Sequence, residues 1–294
     1  MTAATPRPAW SAHDLHRMEG TTVVVTGASS GLGERNAAEL TRAGARVVLA
    51  VRDIAKGERV AEAMTGDLEV RWLDLADLAS VRAFAADWSG PLDVLINNAG
   101  IMAVPEGETA DGFEMQIGTN HLGHFALTAL LLPHITDRVV TVSSQAHRMG
   151  RIHLTDLNAE RRRYHRWGAY GQSKLANLLF TSELQRRLEL AGSPVRAVAA
   201  HPGFAATGLT SHFDGFLGRP LNTLTSLVAT SAADGALPTL YAATQDLPGD
   251  SFVGPGRNGP QLESRSRAAR DDEMARQLFD LSARLTGVEV LSAA

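Results

Sequence analysis

Two kinds of hydrophobic pattern alternate along the chain. Short runs of mainly β-branched apolar residues predict strands, and longer stretches with apolar residues three or four positions apart predict helices. The predicted strands cover residues 21–26, 46–51, 69–73, 92–96, 138–142 and 195–200. The longest predicted helices cover residues 112–132 and 170–190, and a charged amphipathic helix is predicted over residues 267–285. Strands separated by helices pair in parallel, so we expect an α/β fold: a doubly wound parallel sheet with helices on both faces.

Nothing along the chain marks a boundary between two folded units, since it has no internal repeat and no linker rich in glycine and serine. Residues 1–19 are predicted to be an N-terminal extension and residues 20–294 a single Rossmann-like domain. Two long connections, over residues 143–169 and 203–222, follow predicted strands. Ligands bind at the carboxyl ends of such strands, so both connections are expected to border the site.

The composition narrows the class of protein. With 294 residues, 44% hydrophobic and 20% charged, the chain can bury a large core. Its net charge of -4 gives no basic field for nucleic acid, and the lack of cysteine excludes disulfides and thiol chemistry. The longest apolar run, residues 125–132, is far shorter than the roughly 20 residues that span a bilayer. We therefore expect a cytoplasmic protein that acts on a small molecule, without a nucleic-acid or membrane partner.

A glycine-rich turn joins the first predicted strand to the first helix, with Gly27, Gly31 and Gly33 in the sequence TGASSGLG. Glycine permits a sharp turn and a close approach of the backbone to a pyrophosphate, and the helix N-terminus offers free N–H groups to an anion. This strand–turn–helix unit predicts a dinucleotide site. A tight connection without a ligand is the alternative interpretation.

The end of the second predicted strand bears on the choice of nucleotide. An NAD site needs an acidic residue about 20 positions after the glycines, whereas NADP needs a nearby arginine for its 2′-phosphate. This chain has Val51 followed by Arg52, whose guanidinium is a two-pronged phosphate ligand. The pattern favours NADP (NADPH) over NAD. The alternative is an exposed Arg52 that pairs with Asp53.

Tyr170 and Lys174 lie four residues apart in YGQSK, at the start of a predicted helix, which places both side chains on one face. An adjacent ammonium lowers the pKa of a tyrosine, whose ordinary value near 10 is too high for acid–base work near neutrality. An exposed pair without a role is the alternative. Other candidate site residues are predicted near the same sheet edge: Ser143 and Ser144 after the fifth strand, Asn97, Asn98, Ala99 and Gly100 after the fourth, and Asn120 in the next helix.

These motifs resemble those of the short-chain dehydrogenase/reductase family, in the family's usual order. The resemblance covers residues 21–253. It is closest to the retinol-dehydrogenase/protochlorophyllide-reductase-like group, through LAVRDIAKGE, INNAGIM, TNHLGHFALT, VSSQAH, YGQSKLANLLFTSEL and HPG. It implies an NADP(H)-dependent oxidoreductase that transfers a hydride between the nicotinamide and a carbonyl or alcohol group.

The resemblance also implies roles for individual residues. Tyr170 would be the general acid in carbonyl reduction, and Lys174 would lower its pKa and bind the nicotinamide ribose. Ser144, rather than Ser143, would hold the substrate oxygen, and Asn120 would order a water on the proton path. The implied cofactor contacts are Gly27, Ser29, Ser30, Gly31 and Leu32 at the pyrophosphate and adenosine ribose, Arg52 at the 2′-phosphate, Asp74 and Leu75 beside the adenine, Asn98, Ala99 and Gly100 under the adenosine ribose, and Pro202, Gly203 and Thr207 at the carboxamide.

Three features depart from the family pattern. Tyr170 follows Ser144 by 26 residues, about double the usual separation, although the retinol-dehydrogenase-like group shares this longer connection. Glu34 stands where many of that group carry a basic residue. Residues 1–20 do not resemble the apolar N-terminal anchor of animal retinol dehydrogenases, so no such anchor is expected.

Two other functions remain as alternatives. A non-catalytic NADP(H)-sensing regulator would bind the nucleotide without turnover, but such regulators generally lose the Tyr/Lys pair that this chain keeps. An epimerase or dehydratase of the sugar-nucleotide branch would need a larger substrate domain than the residues after Pro202 provide. Related enzymes form homodimers or homotetramers through the helix that here carries LANLLFTSEL, so either assembly is expected.

Three further segments have expected roles. Residues 205–221 combine three glycines with Leu209, Phe213, Phe216 and Leu217, which predicts a lid over a bulky, apolar substrate. The basic segment of residues 160–167 is interpreted as a solvated rim of the site. His121 and His124 lack a third ligand nearby, so we expect a structural role for them and no metal site.

Overall fold

The computed structural model describes residues 10–203 and 232–291. Its strands are β1 (Thr22–Thr26), β2 (Arg46–Val51), β3 (Leu68–Trp72), β4 (Leu92–Asn97), β5 (Ile135–Val142), β6 (Arg196–Ala200), β7 (Phe252–Gly256) and β8 (Gly259–Leu262). They form one sheet in the order β3-β2-β1-β4-β5-β6-β7-β8. β1 to β7 pair in parallel, and β8 is antiparallel to β7. The order reverses between β1 and β4, which opens a crevice at the carboxyl ends of these strands.

Helices cover both faces of this sheet. They are α1 (Gly31–Arg42), α2 (Ile54–Glu62), α3 (Leu78–Ala86), α4 (Met115–Ile117), α5 (Gly123–Leu131), α6 (Arg166–Leu190), α7 (Ala232–Thr244) and α8 (Asp272–Thr286), with a π-helical turn at Gly118–Leu122 between α4 and α5. α1, α2 and α7 pack on one face, and α3, α5, α6 and α8 on the other. The predicted doubly wound fold is confirmed.

The side chains of the buried strands alternate between two core layers. Val23 and Val25 of β1 pack in the layer of α1 and α7, whereas Val24 packs in the layer of α3 and α5. In the second layer the ring of Phe125 lies 5.5 Å from that of Phe180 and 4.9 Å from that of Phe279, between centroids. Phe279 belongs to α8, so the last helix completes this layer.

The apolar segment expected at a subunit interface is buried inside the chain itself. Leu175, Leu178 and Leu179 of α6 are at most 1% exposed, and α6 packs against α8. These side chains contribute to the core and not to an exposed face. The homodimer or homotetramer stays a prediction.

Several boundaries differ from the predicted ones. β3 begins and ends one residue earlier, and β5 begins at Ile135. α6 begins at Arg166, because the ring nitrogen Nδ1 of His165 accepts the Gly168 N–H at 3.1 Å and caps the helix there. The helix predicted over residues 112–132 begins only at Met115, where the Glu114 carboxylate accepts two backbone N–H groups, and then passes through the π-helical turn.

Three elements near the end of the chain are not predicted by the hydrophobic pattern. α7 contains Pro238, which is unusual inside a helix. Five of the nine residues of β7 and β8 are glycine or proline, which is atypical of strands. The terminal helix is confirmed, with bounds at Asp272 and Thr286.

Residues 10–19 of the predicted N-terminal extension pack on the body of the protein. The Trp10 ring meets the ring of Tyr241 edge-on, with 5.1 Å between centroids. Met18 is 3% exposed, and its N–H donates to the carbonyl of Ala43 at 2.8 Å. This part of the extension therefore covers the layer formed by α1 and α7.

Candidate active site

The four candidate catalytic residues meet at the carboxyl edge of the sheet. Ser144 follows β5, Asn120 lies in the π-helical turn, and Tyr170 and Lys174 occupy successive turns of α6. α6 packs against β5 and against the 3-10 turn Gln145–Met149. The long connection between Ser144 and Tyr170 thus begins and ends near the carboxyl end of β5.

The two adjacent serines point in different directions. Ser143 is 2% exposed, and its hydroxyl donates to the Lys174 carbonyl at 2.8 Å. Ser144 is half-buried, its Oγ accepts the Ala146 N–H at 3.2 Å, and its hydroxyl acts to lower the pKa of the Tyr170 phenol. Ser144 is therefore the member of the pair that faces Tyr170.

Tyr170 is 7% exposed. Burial raises the pKa of Tyr170 above its ordinary value, and the hydrogen bond from the Ser144 hydroxyl opposes that rise. The direction is opposite to the lowering that the sequence predicts, because the phenolate would lose its hydration in this buried position. The neutral phenol is the favoured form of Tyr170 in these surroundings.

The ammonium of Lys174 lies close to this phenol. Its Nζ is 5.9 Å from the centroid of the Tyr170 ring and donates to the Val142 carbonyl at 3.1 Å. Burial lowers the pKa of Lys174 to about 8, so the side chain is still mostly protonated at neutral pH. A cation held at this position stabilises negative charge on the phenol oxygen.

Asn120 is fully buried and is held by both ends of its amide. Its Oδ1 accepts the Ile101 N–H at 2.8 Å, and its Nδ2 donates to the Ile101 carbonyl and to the Ser173 hydroxyl, each at 2.9 Å. A Cβ on Gly100 would lie 3.2 Å from Asn120 Oδ1 and 3.3 Å from Lys174 Nζ. The glycine therefore leaves a small space that Asn120 and Lys174 both flank.

His124 is a site residue whose connecting role the sequence analysis missed. Its Nδ1–H donates to the Asn120 carbonyl at 3.1 Å, so its Nε2 accepts from the Thr26 hydroxyl at 2.9 Å. The Thr26 oxygen in turn accepts the N–H groups of Asn98 and Ala99, each at 2.9 Å. Burial lowers the pKa of His124 to about 3, which keeps the ring neutral. The four-residue spacing from Asn120 is a sequence signal that could have indicated this contact.

His121 lies on the other side of the same turn. Its Nε2 hydrogen-bonds to the Ser282 hydroxyl of α8 at 2.9 Å, and burial lowers its pKa to about 4. Both histidines therefore act within the packed core. Within residues 10–203 and 232–291, no group of three histidine, aspartate or glutamate residues is arranged to hold a metal ion.

The turn between β1 and α1 is shaped so that only glycine fits at two positions. A Cβ on Gly33 would lie 2.4 Å from the Gly27 carbonyl oxygen, and Gly27 has a φ of +67°. Ser30 precedes α1 and makes no side-chain hydrogen bond to its first turn. Ser29, Ser30, Gly31 and Leu32 are all at least partly exposed. A bare helix N-terminus behind a glycine turn fits the pyrophosphate of a dinucleotide.

Arg52 follows β2, the neighbour of β1, and is exposed. The Asp53 carboxylate accepts the Lys56 N–H at 2.9 Å and so caps α2. In the described part of the chain no ion pair involves Arg52. Asp74 and Leu75 follow β3 one strand further out, where Asp74 Oδ1 accepts the Ala76 N–H at 2.9 Å.

Two of the three residues predicted at the carboxamide are described by the structure. Pro202 and Gly203 follow β6, and Gly203 has a φ of +72°. A Cβ on Gly203 would lie 2.9 Å from Cγ of Pro255. Thr207 and the predicted lid, residues 205–221, lie outside the described residues.

The basic segment of residues 160–167 borders a surface cavity of about 190 Å³ beside the start of α6. Arg151, Arg162, Arg163 and Tyr164 are among its lining residues. Across the described ranges, no helix is both long and apolar enough to cross a membrane.

Comparison with known proteins decides the family. The sequence pattern of the family described as short chain dehydrogenase matches residues 21–215. The chain belongs to the short-chain dehydrogenase family. It is therefore an oxidoreductase of CH–OH and C=O groups that uses a nicotinamide cofactor.

This short-chain dehydrogenase falls in the retinol-dehydrogenase-like group. It is 43% identical over 293 residues to retinol dehydrogenase 13 of Homo sapiens, a match that covers 93% of this chain and 86% of the relative. It is also 43% identical over 290 residues to retinol dehydrogenase 11 of Homo sapiens, with 93% and 88% covered.

Solved structures agree with this assignment. An uncharacterized protein of Mycobacterium paratuberculosis is 59% identical, with a TM-score of 0.84, over 96% of this short-chain dehydrogenase and 98% of that chain. A 3-ketoacyl-(acyl-carrier-protein) reductase from Brucella melitensis, solved with NADH, is 26% identical with a TM-score of 0.60 and covers 81% of this chain and 97% of its own.

Proposed function

We propose that this short-chain dehydrogenase reduces an apolar aldehyde or ketone with NADPH, and that Tyr170, Lys174, Ser144 and Asn120 carry the reaction. The observation that supports it best is the buried phenol of Tyr170, whose pKa is raised by burial and lowered by the nearby Ser144 hydroxyl. Its surroundings favour the neutral form, which is the form that a proton donor needs. The reduced nicotinamide supplies the hydride, and the protein supplies the proton.

The chain's own groups then act on the substrate oxygen. The hydroxyls of Ser144 and Tyr170 both donate to the carbonyl oxygen and fix its position. Burial raises the pKa of Tyr170, so the phenol keeps its proton until the oxygen becomes basic during the reaction. The Lys174 ammonium, anchored on the Val142 carbonyl, stabilises the phenolate that remains. Asn120 flanks the same space as Lys174, and its proposed role is to order a water through which a proton returns to Tyr170.

NADPH is the proposed nucleotide because of Arg52. The residue is exposed at the end of β2, and Asp53, its expected partner, is engaged as the cap of α2. A guanidinium at that strand end suits the 2′-phosphate of NADP. The ribose 2′-hydroxyl of NAD would need an acceptor where this chain has Val51.

The apolar character of the substrate is inferred from two sources. The predicted lid sequence of residues 205–221 contains Phe213 and Phe216. The similar proteins of Homo sapiens are retinol dehydrogenases, and retinol is a largely apolar alcohol.

A substrate panel tests the proposal. Oxidation of NADPH is followed by its absorbance in the presence of small aldehydes, long-chain aldehydes, retinoids, steroids and aliphatic ketones. We expect turnover with at least one large apolar carbonyl compound and a preference for NADPH over NADH. Tight NADPH binding with no turnover across the panel would instead support a nucleotide-sensing role.

A further inference from the structure

A cluster of polar side chains, in which His201 is buried and Gln145 and Glu263 are half-buried, lies between the segments that follow β5, β6 and β8. Glu263 Oε2 is 3.1 Å from His201 Nε2 and accepts from Gln145 Nε2 at 2.9 Å. His201 is 1% exposed. Gln145 directly follows Ser144, and His201 directly precedes Pro202. The Glu263 carboxylate therefore contacts Gln145, which is next to the proposed substrate-binding Ser144. It also contacts His201, which is next to residues 202–203, the proposed nicotinamide-binding segment.

The hydrogen bonds around His201 define which ring nitrogen carries the proton. The Gly203 N–H donates to Nδ1 at 3.0 Å, so Nδ1 is unprotonated. In the neutral ring the proton is then on Nε2, which lies 3.1 Å from both Glu263 Oε2 and Gln145 Nε2; of these two atoms only the carboxylate oxygen can accept it. Burial and the nearby Arg148 lower the pKa of His201, and Glu263 opposes them, so the neutral ring that this pattern needs is the favoured form.

Three neighbouring residues, Gly254, Arg148 and Phe252, help to position the side chains of His201, Glu263 and Gln145. A Cβ on Gly254 of β7 would lie 2.1 Å from Glu263 Oε1 and 2.3 Å from His201 Nε2, so the strand has glycine where the pair sits. Arg148 Nε donates to Gln145 Oε1 at 2.8 Å, which turns the Nε2 end of that amide toward Glu263. The ring of Phe252 packs on His201, with 5.1 Å between centroids.

We propose that Glu263 is a positioning residue that sets the distance between the substrate oxygen and the nicotinamide. Through His201 it holds the N–H of Gly203, and through Gln145 it holds the turn that presents Ser144. The inference rests on the proposed function, in which residues 202–203 bind the carboxamide and Ser144 binds the substrate. Hydride transfer depends steeply on the alignment of donor and acceptor, so a link between these two segments affects the rate without touching either reactant.

Nucleotide binding to the full-length protein tests the His201 branch. Dissociation constants are measured for NADPH and for ADP-ribose 2′-phosphate, which lacks the nicotinamide, with wild type, His201→Leu and His201→Asn. The leucine cannot accept the Gly203 N–H, so we expect NADPH to bind about tenfold more weakly. The asparagine keeps an acceptor oxygen near the position of Nδ1, and we expect binding within about threefold of wild type. The fragment should bind all three proteins alike.

Steady-state kinetics test the Glu263 branch. Glu263→Gln keeps the shape of the side chain but removes the charge that holds two donors, and we expect kcat for carbonyl reduction to fall about tenfold. Glu69→Gln is the matched control, because Glu69 is also a partly buried, ion-paired carboxylate but lies on β3 at the far edge of the sheet. Its kcat should stay within about twofold of wild type.

The outcomes separate this inference from the proposed function. If wild type binds neither NADPH nor NADH, the proposed function fails. If wild type binds and reduces normally while Glu263→Gln matches Glu69→Gln, the positioning role is wrong. It is also wrong if His201→Leu weakens NADPH and the fragment equally, because that pattern indicates a general structural defect. Should His201→Leu fail to fold, as judged from its Tm, Glu263→Gln decides the matter.

Discussion

Residues 21–100, here called the nucleotide half, are shaped by glycines and by contacts between adjacent strands. Thr26 of β1, for example, accepts N–H groups from Asn98 and Ala99 at the end of β4, its direct neighbour in the sheet. The remaining described residues, here called the catalytic half, are joined by side chains that are far apart in sequence. Gln145 and Glu263 are 118 residues apart, and His121 and Ser282 are 161 apart.

This difference indicates that the two halves tolerate change differently. In the nucleotide half, a local turn defines the geometry, and each contact depends on few partners. In the catalytic half, the geometry depends on several distant segments that pack correctly. Substitutions that affect one half and leave the other intact therefore test whether the halves act separately.

The largest effect is expected in the catalytic half, from Tyr170→Phe. The variant lacks the proton donor but keeps the ring, so kcat should fall by about 10²–10⁴-fold while the dissociation constant of NADPH stays near that of wild type. Turnover and nucleotide fluorescence measure the two quantities. Tyr164→Phe is the matched control and should keep its activity. Tyr164 lies in the long connection that precedes α6, and its hydroxyl donates to the Val104 carbonyl at 3.1 Å. A Tyr170→Phe protein that keeps more than about a tenth of the activity would contradict the assignment.

Lys174→Met should lower the activity but raise the free energy of unfolding at pH 7. Burial lowers the pKa of Lys174 from 10.5 to about 8, which corresponds to a cost of about 3 kcal/mol for keeping the buried side chain charged. Below about pH 8 the lysine is charged in both the folded and unfolded states, so the folded state bears the full cost. The methionine variant should therefore be more stable at pH 7, and its advantage should shrink as pH rises toward 10.5.

Urea denaturation at pH 7 and at pH 10.5 measures this difference in the free energy of unfolding. Lys56→Met is the control, because Lys56 is exposed on α2 and should show little change at either pH. A Lys174→Met protein that is less stable than wild type at pH 7 would show that the contact with the Val142 carbonyl outweighs the cost of burying the charge.

Arg52→Ala should affect the nucleotide half and leave the catalytic half unchanged. Loss of a charged hydrogen bond to the 2′-phosphate should weaken NADPH binding by about 1.5–3 kcal/mol and leave NADH binding almost unchanged. Calorimetric titration of both nucleotides measures this. Arg59→Ala, at another exposed arginine of the same region, should change neither. Equal losses for NADPH and NADH would remove Arg52 from the proposed role.

The smallest effect is expected from Ser143→Ala. The Lys174 carbonyl loses its hydrogen-bond donor, so the free energy of unfolding should fall by about 1 kcal/mol while kcat stays within about threefold of wild type. Ser144→Ala, one residue further, should instead reduce kcat strongly and hardly change stability. Thermal denaturation and turnover are measured for both variants. If Ser143→Ala were the inactive one, the catalytic and structural roles of Ser144 and Ser143 would have to be exchanged.

The sequence predicted the nucleotide half in more detail than the catalytic half. The order of elements, the fold class and the glycine turn follow from patterns that are local in sequence. The roles of Arg52, Asp74 and the carboxamide residues remain predictions. The upward shift in the pKa of Tyr170 does not follow from the sequence, because it is caused by burial, which depends on tertiary packing.

Glu263 carries no sequence signal at all. It follows a short strand rich in glycine and proline, and its partners come from the ends of β5 and β6. The π-helical turn that holds Asn120 was also hidden, because its residues continue the hydrophobic pattern of an ordinary helix. Both features arise from tertiary packing, which periodicity does not record.

The late position of α8 in the chain has a consequence for biosynthesis. Phe279 packs against Phe125, and the Thr286 carbonyl accepts from Arg82, 204 residues earlier. Until these residues leave the ribosome, the apolar surfaces of α5 and α6 that α8 covers stay exposed. At roughly 5–20 residues per second, the helix itself takes about a second or more to translate. During that interval the nascent chain exposes this apolar surface, so a chain that stops just before α8 is expected to aggregate.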